Sequence, residues 1–146
     1  MYRNLSADQP AAFNPNLAGS LNNLSLRLSD LGYREDALTT IQEAVELYRK
    51  PTADRPEAFN PDLALSLNNL SLHLSDLGRR EDALTAIQEA VELYRKLAAD
   101  RPEAFNLNLA TSLKHLSLRL TDLGHREDAL TAIQETVKLS QLLAAD

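Results

Sequence analysis

The chain has 146 residues, a formal charge of −6 and a sequence pI near 5.0, with 44% hydrophobic and 25% charged residues. Such acidity disfavours nucleic acid as a partner, because affinity for a phosphate backbone rests on Lys and Arg displacing counterions. Without Cys there is no disulfide framework, thiolate zinc site or cysteine nucleophile, and no run approaches the roughly 18 apolar residues of a membrane span or forms a signal-peptide core.

These features predict a cytoplasmic chain with no membrane and no nucleic-acid partner. Leu and Ala outnumber β-branched and aromatic residues, which favours an all-α class. The few Gly and Pro recur at fixed intervals, as punctuation between elements.

In chain order, residues 1–8 (Met-Tyr-Arg-Asn-Leu-Ser-Ala-Asp) match 93–100 (Leu-Tyr-Arg-Lys-Leu-Ala-Ala-Asp) in five of eight places. The leader therefore reads as the tail of a preceding repeat. Three copies of a 46-residue unit follow at 9–54, 55–100 and 101–146, registered by Phe13, Phe59 and Phe105 and by Gly32, Gly78 and Gly124. Copies one and two share 37 of 46 positions and copies two and three share 33, so all three must adopt nearly the same structure. The last copy ends at Asp146, where the next Arg-Pro-Glu-Ala-Phe would begin, and the expectation is a fragment of a longer array.

Within a unit, Asn60 is predicted as the N-cap of helix A, with Pro61 at its first position and Asp62 near the positive helix end. Leu63, Leu67, Leu70, Leu74 and Leu77 step by four and three and form one apolar face. Gly78 stops the helix. Helix B is predicted from about Arg80 to Ala99, with Ala83, Leu84, Ile87, Ala90, Val91 and Tyr94 inside and Glu92 and Lys96 as an outward pair. Pro51 in copy one predicts a stop or kink near Lys50. Phe59 is assigned to the linker and expected to pack between hairpins.

With Gly78 in the inter-helix turn, the unit resembles the tetratricopeptide pattern. Leu67, Leu70, Ser71 and Leu74 fill the helix A signature, and Ala83, Ile87 and Ala90 fill that of helix B. The set recurs as Leu21, Leu24, Ser25, Leu28, Ala37, Ile41 and Ala44, then as Leu113, Leu116, Ser117, Leu120, Ala129, Ile133 and Thr136, with Thr136 the one departure. The resemblance implies a right-handed superhelical solenoid of three antiparallel hairpins that binds other proteins. The period of 46, longer than the common 34, is similar to sensor arrays of fungal and bacterial NACHT or NB-ARC signalling ATPases and to kinesin light chain repeats. No phosphate-binding Gly-rich loop is present, so an ATPase domain would lie outside this chain.

No catalytic, metal or cofactor site is expected. His73, His115 and His125 are each replaced in the other copies, and no two stand at ligand spacing. Glu81 and Asp82 suit the positive end of helix B. Outside the linker and the end of helix B, copy-to-copy differences gather on helix A at 16/62/108, 19/65/111, 22/68/114, 23/69/115 and 27/73/119. By the family resemblance, a ligand would lie on the concave surface of stacked A helices, here along Gly19, Asn22 and Leu26, then Leu65, Asn68 and Leu72, then Thr111, Lys114 and Leu118. Leu26, Leu72 and Leu118 form an apolar ladder that serves either a peptide ligand or packing between neighbouring A helices. The family's basic clamp for a terminal carboxylate is not reproduced. A second expectation is homo-oligomerisation through exposed repeat ends, with the last face altered where Ser140, Gln141 and Leu142 replace Tyr94, Arg95 and Lys96.

Overall fold

The structure, a computed structural model, describes residues 15–145. Within them the chain forms six α-helices and an all-α solenoid of hairpins. They are α1 (Pro15–Asp30), α2 (Arg34–Asp54), α3 (Pro56–Asp76), α4 (Arg80–Asp100), α5 (Pro102–Asp122) and α6 (Arg126–Ala145). The leader at 1–8 and Phe13 lie outside the described residues. Each helix packs on the next in sequence, and α1 also reaches α3.

Every A-to-B turn is closed by the same device. Gly32, Gly78 and Gly124 have φ of 87°, 77° and 80°, a region that disfavours any residue with a Cβ. In α3 the Gly78 N–H donates to Ser75 O at 2.9 Å and the Arg79 N–H to Leu74 O at 2.9 Å. This double closure satisfies carbonyls that the helix end would otherwise leave open. It turns the chain sharply, so α4 returns antiparallel against α3.

Close approach of the two helices depends on small residues. The Ser71 hydroxyl donates to Ala83 O at 2.7 Å, and Ser117 does the same to Ala129 O at 3.0 Å. In the first hairpin Ser25 instead donates within its own helix, to Asn22 O. Thr136, the departure from pattern, donates to Ala132 O at 3.0 Å.

The core is continuous, running both inside the hairpins and between them. Ala18 of α1, Val45 and Tyr48 of α2, Leu63 and Leu67 of α3, and Ile87 and Ala90 of α4 make one cluster. Val91, Tyr94 and Ala98 of α4 meet Ala64 of α3 and Leu109 and Leu113 of α5 in another, with Phe105 packed against it. The B helix of one hairpin thus seats the A helix of the next. Burial pushes the Tyr94 phenol up to about 12, with Asp62 adding to the effect.

Three sequence expectations about the helices need correction. Helix A does not begin at Asn60: α3 starts at Pro56 and α5 at Pro102. A proline in the first turn loses no helical hydrogen bond, and Glu57 and Glu103 there favour the positive end. Copy three carries Leu107 where copy two has Pro61, yet its helix begins at the equivalent residue, so the second proline does not set the start. The expected linker shrinks to one non-helical residue, Arg55 or Arg101, and Phe59 and Phe105 are helical and half-buried.

Of the stop or kink expected near Lys50, the stop does not occur, since α2 continues through Pro51 to Asp54. Tertiary packing holds that last turn, where Thr52 is buried in the place of Ala98. Glu92 and Lys96 are both exposed, as expected, but do not close an ion pair among the described residues.

Candidate functional site

Helices α1, α3 and α5 lie side by side, and the nine candidate residues stand at i, i+3 and i+7 along one side of each. Gly19 leaves open space, since a Cβ there would meet nothing within 4 Å. Leu65 and Thr111, its counterparts, are exposed. Along the ladder, Leu26 is half-buried whereas Leu72 and Leu118 are 40% and 45% exposed. The latter two therefore remain open to a ligand instead of being consumed by packing between A helices.

The asparagines do something that was not legible in the sequence. Asn22 Oδ1 accepts from the Ser66 hydroxyl at 3.1 Å, and Asn68 Oδ1 accepts from Ser112 at 3.0 Å. Each amide ties one A helix to the next. Asn22 is buried in consequence and offers little to a ligand, Asn68 is half-buried, and Lys114 is exposed in their register.

His73 is also structural. It is 1% exposed, and its Nε2 lies 3.1 Å from the Ser25 hydroxyl across the α1–α3 contact. Ser25 spends its proton on Asn22 O, so it accepts from His73 Nε2–H, and Nδ1 is left without a hydrogen-bond partner. Burial pushes the His73 pKa down, with Asp76 opposing in part. His115 is half-buried and pushed the same way by burial, then by Arg119 and Lys114; His125 is exposed.

Ser25, whose hydroxyl meets His73, is itself buried and donates to a backbone carbonyl. Among the described residues no group of three or more His, Asp or Glu could hold a metal ion, and no helix is long and apolar enough to cross a membrane.

On the outer face, B helices are joined by ion pairs that sequence reading missed. Arg49 donates to both carboxylate oxygens of Glu89, at 2.7 and 3.1 Å, and Arg95 grips Glu135 in the same bidentate way. The signal was available: Arg and Glu recur 40 residues apart, six short of the period. Gln141 stands where the next Arg would be.

Comparison with known proteins agrees with this architecture. A tetratricopeptide repeat family model matches residues 17–50 and 63–103, together just over half of the chain, and a model of anaphase-promoting complex subunit 5 matches 96–142. No curated protein matches the chain. Among solved structures, BtubC (BKLC) from P. vanneervenii superposes with a TM-score of 0.82 at 16% identity, covering 98% of this chain and 54% of that one. The chain thus spans about half the length of that protein, and at this identity the likeness is one of fold.

A MamA RS-1 ArsTM double mutant is similar at 18% identity and TM-score 0.47, over 91% of this chain and 80% of its own. Another MamA structure gives 15% and 0.37, over 99% and 88%. With three glycine-closed hairpins, small residues at the helix crossings and a family match over most of the first two, this chain belongs to the tetratricopeptide repeat family, whose members are typically non-catalytic scaffolds for protein interaction.

Proposed function

We propose that the chain is the partner-recognition segment of a larger signalling protein and binds a protein or peptide along the concave face of α1, α3 and α5. The carrying observation is the exposure of Leu65, Leu72 and Leu118, at 48%, 40% and 45%, on helices whose other faces are buried. Full burial of a Leu is worth roughly 1.5–3 kcal/mol. A ligand covering three would gain a useful fraction of its affinity there. The 46-residue period supports the signalling setting, by its likeness to sensor arrays of NACHT or NB-ARC ATPases. Leu72→Glu should abolish partner capture while far-UV circular dichroism stays unchanged; undiminished capture would overturn the groove.

A second reading is favoured by α6. Val137 is 50% exposed where its counterpart Val91 is 4% exposed beneath α5, and Leu142 is 60% exposed. Ile133, Gln134, Val137 and Lys138 line an open groove of about 420 Å³ there. End-on self-association would cover it, and light scattering across a concentration series would reveal a mass that rises above the monomer. A constant monomer mass would remove this reading.

A further inference from the structure

The last residue of each A helix is an aspartate, Asp30, Asp76 or Asp122, where the helix dipole is negative and a carboxylate is disfavoured. Each lies four residues beyond a ladder leucine, Leu26, Leu72 or Leu118, and so shares its face of the helix. In the outer hairpins the charge is offset locally. Arg27 lies 3.4 Å from Asp30, and Arg119 lies 3.5 Å from Asp122.

The middle hairpin has His73 at the arginine position, and that ring is turned inward to Ser25. Asp76 is exposed, and among the described residues no cation forms an ion pair with it. On α5, Lys114 adds an exposed positive charge to the half-buried Arg119, so the uncompensated negative charge of the groove lies on α3. The two features stand one turn apart at the centre of the concave face: an open leucine and an unneutralised carboxylate.

We propose that the groove selects a protein segment presenting an apolar side chain to Leu72 and, within one helical turn of it, a Lys or Arg to Asp76. This rests on the concave-face reading above and names the chemistry of its ligand. Charge complementarity is the reason for a basic segment. An acidic one would meet Asp76 unpaired, whereas a basic one removes a repulsion that the helix end already feels. The net charge of −6 would also speed encounter with a cationic segment.

A random 12-residue phage-displayed peptide library selected against the whole chain supplies the probe. Enriched peptides should carry Lys or Arg within four residues of Leu, Ile or Phe. Synthetic versions should lose binding to Leu72→Glu and weaken about threefold to fivefold on Asp76→Asn, as for an exposed ion pair, with the difference shrinking in 0.5 M salt. Glu92→Gln, on the outer face of α4, serves as the charge control and should leave affinity unchanged.

Peptides that need Leu72 but show no basic bias, or bind Asp76→Asn as well as the parent, overturn the selectivity and leave the groove standing. No enrichment, or binding indifferent to Leu72→Glu, overturns both. Should Leu72→Glu lose helicity, Leu118→Glu takes its place in the same comparison.

Discussion

His73 shows how one substitution between copies changes the physics of a joint. Its counterparts Arg27 and Arg119 pair with aspartates on the groove face, whereas a neutral imidazole can be buried against Ser25 at tolerable cost. With a native pKa below the unfolded 6.5, His73 takes up its proton in the unfolded chain first as pH falls. Its contribution is therefore complete above about pH 7 and is lost progressively below, until the native ring protonates too. His115 acts with the same sign.

The thermal midpoint should drop between pH 7.5 and 5.5, and His73→Gln, which keeps a donor for Ser25 but cannot titrate, should flatten that drop. An unchanged slope would place the pH dependence elsewhere. The sequence marked His73 as a departure but not as buried, because burial depends on the neighbouring hairpin and not on its own helix.

Among the elements, α2 and α3 each hold an interior proline, Pro51 and Pro61, and α2 breaks a second local rule beside it. Pro51 removes a hydrogen bond inside it and Thr52 buries a hydroxyl with no partner. An interior proline costs about 3 kcal/mol and an unsatisfied buried hydroxyl about 1–3 kcal/mol. Both are tolerated because the turn packs in the register that Ala98 occupies in α4. Restoring the second copy's residues with Pro51→Leu and Thr52→Ala should stabilise the chain, the latter alone by about 1 kcal/mol, as read by urea denaturation. No gain would mean that the last turn of α2 is not held in the folded protein.

Local cues were reliable where a single residue sets the geometry. The glycine stops and the Arg80 start were legible, and so were the apolar stripes of α3 and α4. Helix starts were misplaced because two prolines competed for the first position, and propensity alone does not choose between them. The i,i+4 spacing within one helix points to Glu92 and Lys96, whereas Arg95 finds its partner in the next hairpin.

At the scale of the whole molecule, stability is a chain of contacts between neighbours. Tyr94 of α4, 3% exposed, and the Arg95–Glu135 ion pair join the second hairpin to the third. The ion pair is largely solvated and contributes on the order of 0.2–1 kcal/mol; the ring carries the joint. Tyr94→Ser, the residue found at 140, should cost about 3–5 kcal/mol. Hydrogen exchange should show protection lost in α5 and α6 while α1 to α3 keep theirs. Uniform loss across all six helices would instead indicate one cooperative unit.

The concave surface is proposed from the differences between copies and from family resemblance, and the exposure of Leu72 and Leu118 leaves those side chains accessible. The asparagines were misjudged there, since each is shared with a serine 44 residues away. An aspartate stands at the Asp76 position in every copy, and only its surroundings differ.

The central claim, that partners are held on the concave face, is tested most directly by site-specific photocrosslinking in an extract of the source cells. A benzophenone amino acid would replace Leu72 in one sample and Val137 in another. Adducts with a second protein species at 72 and none at 137 are the predicted result. Adducts at 137 alone, or adducts only with a second copy of the chain, would contradict it.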